Sequence, residues 1–129
     1  MRAIPTETGS LTHLSFQVLL ALSDADRHGY GIIKEIEQRT EGGLVPSTGA
    51  LYLALQRLVQ EGLIESAAGP ESPGEDARRR YYRMTEEGRR RAAAEARRLA
   101  RLVAVALEKR LVPKTVLDMG AAAPRSRDG

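Results

Sequence analysis

PSTGALYLALQRLVQEGL, residues 46–63, reads as a helix with both ends marked and more exposed apolar surface than its core face requires. Pro46 restricts the approach, and the hydroxyl of Ser47 or Thr48 can cap the open N–H groups of a first turn. Gly62 suits the left-handed residue that closes a helix. Between these marks Leu51, Ala54, Leu55 and Leu58 recur at helical spacing and make a core stripe. Thr48, Tyr52, Leu53, Gln56, Arg57 and Gln60 fall on the other face. A tyrosine and a leucine outside a complete core stripe point to a surface with a second purpose.

Upstream, LTHLSFQVLLALSD predicts a helix capped by Thr12, with Leu11, Leu14, Val18 and Leu22 in one stripe and Phe16, Leu19 and Leu20 widening it. The polar run SDADRHG ends it. HGYGIIKEIEQRT predicts a second helix, with Tyr30, Ile33 and Ile36 at three-residue spacing beside Ile32 and with Gly42-Gly43 as its stop. Gly29 and Gly31 bracket Tyr30, the mark of close backbone packing or a special turn.

Downstream, LIESAA and ARRRYYRMT flank the Gly/Pro-bearing run GPESPGED, the pattern of a two-stranded β-hairpin. Alternation places Tyr82 and Met84 on one face with Arg80, and Arg79, Tyr81 and Arg83 on the other. Thr85 then caps TEEGRRRAAAEARRLARLVAVALEKRL, whose first-turn Glu86 and Glu87 suit the helix dipole. Ala96, Leu99, Val103 and Ala106 continue a seam from Ala92, with Leu102 and Leu107 beside it. About 25 residues of helix span close to 40 Å at ~1.5 Å per residue, too long for three short helices to cover. A second copy of the same helix is the economical partner. The expected organisation is a flexible N-terminus over 1–10, one domain over 11–85, a dimerisation helix over 86–112 ended by Pro113, and a disordered tail over 113–129.

Composition narrows the function. The chain has 129 residues and no cysteine, which removes disulfides, thiolate metal sites and a cysteine nucleophile. There is no signal-like N-terminus and no apolar run near the ~18 residues of a membrane span, so a soluble cytoplasmic protein without a membrane partner is the expectation. The net charge of +3 conceals a division. Residues 78–110 hold twelve Arg/Lys against four Glu, while the rest of the chain has eight against thirteen Asp/Glu. A basic block of this kind suits a polyanion, though a solvated helix face has the same composition.

Three short helices, a two-stranded wing and a long helix form the layout of a winged helix-turn-helix with a C-terminal dimerisation helix: mainly α with a small β-hairpin. In such a fold the third helix enters the major groove of double-stranded DNA and the wing meets phosphates. Gln56 can pair with adenine and Arg57 can reach guanine or a phosphate. His13 and His28 lack metal-ligand neighbours in the sequence, and no nucleophile motif, phosphate loop or carboxylate pair suggests an enzyme or a cofactor.

Three stretches in order, HGYGIIKEIE, LYLALQRLVQEGLI and RRRYYRMTEEGRR, resemble the PadR family of bacterial transcriptional regulators over roughly residues 11–91. That family's third helix has the form LYPALxRLExxGLI, its wing ends in R-x-Y-Y-x-L-T-x-x-G, and its second helix begins with a G-Y-x-I/L element. Leu53 stands where the family usually has proline. The resemblance implies a homodimeric repressor. It places Ser47 and Thr48 at phosphate, Tyr52 at the DNA-facing start of the helix, and Arg78, Arg79 and Arg80 on the basic strand of the wing. It implies dimerisation through Ala96, Leu99, Leu102, Val103, Ala106 and Leu107. It also implies that a hydrophobic or aromatic small-molecule effector could bind near Phe16, Leu99, Leu102, Val103 and Leu107, although a packed core fits those residues equally. A winged-helix module for an acidic protein partner is the alternative function, and Tyr52 at a core edge is the alternative role for that residue.

Overall fold

The computed structural model describes residues 11–69 and 80–116. The chain divides after Glu95 into two compact units. The first contains α1 (His13–Ala21), β1 (Arg27–His28), α2 (Gly29–Arg39), α3 (Thr48–Gln60), β2 (Ile64–Ala67) and β3 (Tyr81–Met84). A last helix, α4 (Glu86–Glu108), starts in this unit and ends in the second.

Each of these four helices begins on a side-chain acceptor that occupies one of its open N–H groups. Thr12 Oγ1 accepts from Ser15 N–H at 3.1 Å, Ser47 Oγ from Ala50 N–H at 3.1 Å, and Thr85 Oγ1 from Gly88 N–H at 3.0 Å. The sequence marks Thr12 and Thr85 and narrows the other to Ser47 or Thr48. His28 caps α2 through Nδ1, 3.1 Å from Gly31 N, and a histidine cap has no comparable signature. The ends of α2, α3 and α4 are alike as well. Gly42, Leu63 and Leu111 each donate N–H to a carbonyl five residues back, on Glu37, Leu58 and Ala106, at 2.9 Å. The residue just before each donor is left-handed: Glu41 (φ 55°), Gly62 (φ 76°) and Arg110 (φ 61°).

The stop of α2 begins one residue before the glycine pair: Glu41 and Gly42 (φ 82°) are both left-handed, and Gly43 N–H donates to the Thr40 carbonyl at 2.9 Å. The last helix stops at Glu108, short of 112, because Arg110 turns the chain before Pro113 is reached.

The core of the first unit rests on Val18, Leu19, Ile32, Ile36, Leu51, Leu55, Leu58, Leu63 and Ile64, all fully buried. Tyr82 and Met84 close it from the wing, on the face that strand alternation assigned them. Tyr30 is not part of the stripe: Ile32 and Ile36 face inward, and Tyr30 is 60% exposed. Its ring stacks near His28 and carries the Lys34 ammonium 5.8 Å from its centroid.

The sheet has three strands rather than two, in the order β1-β3-β2, antiparallel throughout. Ile64 pairs with Met84 and Ala67 with Tyr81, as a hairpin requires. Arg27 and His28, read in sequence as part of a polar terminator, pair with Tyr82 and Tyr81 on the far edge of β3. The turn between α1 and α2 is thereby fixed to the wing.

One junction ties α3 to the wing and to α4. Thr85 N–H donates to the Leu63 carbonyl at 3.0 Å, and its hydroxyl donates to the Gly62 carbonyl at 2.7 Å. Gly88, in the first turn of α4, lies so close to Leu63 that a Cβ on it would overlap the Leu63 carbonyl oxygen. Alanine at an ordinary helix site stabilises relative to glycine. Gly88→Ala should do the reverse, since neither backbone can rotate away: a loss of about 1–3 kcal/mol, read as a lower urea midpoint at unchanged m-value.

Candidate nucleic-acid interface

The surface of α3 is divided by the core it covers. Leu51, Leu55 and Leu58 are buried, while Thr48, Tyr52, Leu53, Gln56, Arg57 and Gln60 are exposed, as their spacing predicts. Of the two candidate caps, Ser47 takes the role, which leaves Thr48 as the first helical residue with its side chain in solvent. The Thr48 and Gly49 amides have no intrahelical carbonyl to reach, as at any helix start. A Cβ on Gly49 would meet nothing within 4 Å. This end of α3 is thus an open, dipole-positive turn of the kind that binds a phosphate oxygen.

Tyr52 occupies an intermediate position that sequence alone left open. Its ring lies across Gly29 at the start of α2, where any added Cβ would fall within 3.0 Å of the ring and hydroxyl. It remains 47% exposed. One side of the ring therefore fixes α3 against α2, while the rest faces solvent beside the wing. Gly29 has no side chain because the ring fills that space.

The wing meets this corner through Tyr82. Burial raises the Tyr82 phenol above its ordinary value; the Arg80 guanidinium pulls it down, and the Tyr52 phenol adds to the rise. Tyr82 thus lies within electrostatic reach of both Arg80 and Tyr52. Tyr81, on the opposite face of β3, packs edge-on against His28 with ring centroids 5.1 Å apart.

The arginines of RRRYYRMTEEGRR separate by what they touch. Arg83 reaches across to Asp26 with two contacts, Nη2 to Oδ2 at 3.0 Å and Nε to Oδ1 at 3.4 Å. That carboxylate raises the Arg83 pKa, chiefly through the hydrogen bond. Arg89 donates to the Ser23 carbonyl at 3.0 Å, and Arg90 pairs with Glu87 at 2.7 Å. These three brace the α1–β1 turn and the first turns of α4. Arg80 is exposed, and among the described residues neither it nor Arg57 forms an ion pair. Arg78 and Arg79 lie outside the described residues.

The residues expected at a dimer seam fall in the second unit. Ala96, Leu102 and Val103 are exposed, and Leu99, Ala106 and Leu107 are half-buried. Val105, which the seam omitted, is 43% exposed. Phe16 belongs to the first unit and is half-buried on α1. Among the described residues no group of three His, Asp or Glu could hold a metal ion, and no helix is long and apolar enough to cross a membrane.

Residues 18–94 match the family described as Transcriptional regulator PadR-like. The chain belongs to the PadR-like family of transcriptional regulators. It is 35% identical over 75 residues to the transcriptional regulator YqjI of Escherichia coli K12, a match covering 58% of this chain and 33% of YqjI. A transcriptional regulator from Clostridium thermocellum superposes with a TM-score of 0.64 at 28% identity, covering 84% of this chain and 97% of that one. Bacillus subtilis PadR in complex with operator DNA shares the fold at a TM-score of 0.53 and 19% identity, over 62% of this chain and 44% of that one. The family match spans α2, α3, the wing and the first turns of α4, the elements that build the surface around Tyr52 and Gln56.

A raised phenol pKa has a definite sign in stability. The contribution of neutral, buried Tyr82 is complete below the unfolded value near ~10 and is lost as pH rises through the higher folded value. Ultraviolet titration of phenolate should show one phenol ionising later than free tyrosine. In Tyr82→Phe that late step should be absent.

Proposed function

We propose that this PadR-family regulator binds duplex DNA as a homodimer and represses transcription, with α3 entering the major groove. One observation carries the reading. A helix anchored by three buried leucines presents an uncovered face of Thr48, Tyr52, Gln56 and Arg57, with the wing's Arg80 exposed on the same unit. A rigid helix with an amide and a guanidinium outward is the physical requirement for reading base edges. Gln56 pairs with adenine in this reading, and Arg57 with guanine or a phosphate. Ser47 and Thr48 hold phosphate at the start of the helix, where the Ser47 hydroxyl can donate while its oxygen caps Ala50. Arg78, Arg79 and Arg80 grip the backbone from the wing.

Dimerisation follows from surface that one copy leaves in water. Leu102, Val103 and Val105 are exposed on α4 in the second unit, beside Leu99, Ala106 and Leu107. A second α4 covers such a strip most simply, and Ala96 permits close approach. An apolar effector among Leu99, Leu102, Val103 and Leu107 would act by changing the spacing of the two α3 helices.

The direct test is fluorescence anisotropy with the duplex immediately upstream of the protein's own reading frame, against a scrambled duplex, across a salt series. Preferential binding with a log–log slope near −0.9 per neutralised phosphate is expected; equal weak binding to both duplexes counts against an operator there. Gln56→Ala should relax preference at one base pair of each half-site by ~1–3 kcal/mol, measured by competition among single-base variants. Leu99→Asp should convert the dimer to a folded monomer in sedimentation velocity, and a dimer that survived it would put the seam elsewhere.

A further inference from the structure

The exposed side of α3 is organised around a residue that the polar contacts leave unused. Leu53 is 67% exposed. At ~100° per residue it lies roughly opposite the buried stripe of Leu51, Leu55 and Leu58. Gly49 lies one turn before it on the same outward side, with Gln56 and Arg57 one turn after and Gln60 two turns after, and all are exposed. Thr48 and Tyr52 turn onto a flank, where Tyr52 rests on Gly29. The outward side of the helix therefore carries a glycine, one isobutyl group, two amides and one guanidinium.

Gly49 shapes the space next to Leu53. No atom lies within 4 Å of the position where its Cβ would be, so the first turn has a low profile on this side. Leu53 thus follows, one turn on, an open stretch at Gly49 where a base pair can come close to the helix. An apolar protein partner would need continuous apolar surface, and the outward neighbours of Leu53 are a glycine, two amides and the Arg57 guanidinium.

An isobutyl group has few partners in a major groove. Base edges there present donors, acceptors and a single apolar group, the C5 methyl of thymine. Covering a donor or acceptor with leucine leaves it without a hydrogen bond, whereas covering the methyl removes two apolar surfaces from water. Gln56, one turn along, has the donor and acceptor that adenine matches. We infer that Leu53 is a specificity-determining residue that reads a thymine methyl in each half-site, beside the adenine paired with Gln56. The inference rests on the DNA-binding reading above.

Replacing thymine by deoxyuridine removes that methyl and nothing else, which makes a clean test. Selection from a random duplex pool supplies the half-site, and anisotropy then compares each thymine with deoxyuridine for the wild-type protein and for Leu53→Ala. At one thymine the wild type should bind the deoxyuridine duplex about fourfold more weakly per half-site, the effect of one buried methyl. Leu53→Ala should not distinguish the two duplexes, and Leu53→Met should recover part of the difference. Circular dichroism confirms that each variant is folded. A wild type indifferent to every thymine methyl, or a loss of equal size in Leu53→Ala, overturns the role of Leu53 while leaving DNA binding in place. A pool from which nothing is enriched at low salt overturns the DNA-binding reading and this inference together.

Discussion

Thr85 holds the first unit together at the point where three elements meet. Its N–H and hydroxyl donate to the Leu63 and Gly62 carbonyls at the end of α3, and its hydroxyl oxygen accepts the first-turn N–H of Gly88. One side chain thus links the exit of α3 to the last residue of the wing and the first turn of α4. The left-handed Gly62 presents those carbonyls, and the missing side chain of Gly88 lets the backbones approach. Because backbone groups are strong and obligatory hydrogen-bond partners, the orientation of α3 is set at this junction as well as by its leucine stripe.

The charges serve two ends that sequence composition merges. Arg27, Arg39, Arg83 and Arg89 spend their guanidinium groups on the fold: Arg27 on the Ala21 carbonyl at 2.8 Å, Arg39 on Gln17 at 2.7 Å and Glu35 at 3.0 Å, the others on Asp26 and Ser23. Each fastens a turn or a helix pair that carries the interface without lying in it. Arg57 and Arg80 extend from the same framework into solvent. A count of arginines therefore overstates the surface offered to a polyanion, since paired surface charges attract distant phosphates weakly in salt.

Tyr52 shows how packing and recognition share a residue. The ring fills the space over Gly29, so α3 is positioned against α2 through a side chain that is still half in solvent. The outward side of α3 from Gly49 to Gln60 is left exposed. Leu53, where the PadR family usually has proline, lies at its centre.

Much of this was legible in the chain. Thr12 and Thr85 as caps, a cap at Ser47 or Thr48, the buried Leu51-Leu55-Leu58 stripe, the exposed Tyr52, Gln56 and Arg57, and the inward Tyr82 and Met84 all follow from signals within a few residues. Caps act across three residues, a helix face repeats at three and four, and a strand face at two. The rest depends on partners far along the chain. Arg27-His28 becomes a strand only because β3, more than fifty residues later, offers it an edge. Arg83 is committed to Asp26, and Tyr52 to Gly29, by the approach of elements whose separation no local pattern encodes. The left-handed turns at Glu41 and Arg110 also escaped, because neither position carries the glycine that announces such a turn. The sequence by itself determined the four helices, the β2–β3 pair and the buried faces of α3 and β3, because those are short-range properties of spacing and capping. Only the tertiary structure decided which polar groups brace the fold and which remain for a partner, because hydrogen bonds and ion pairs go to whichever atoms folding brings within reach.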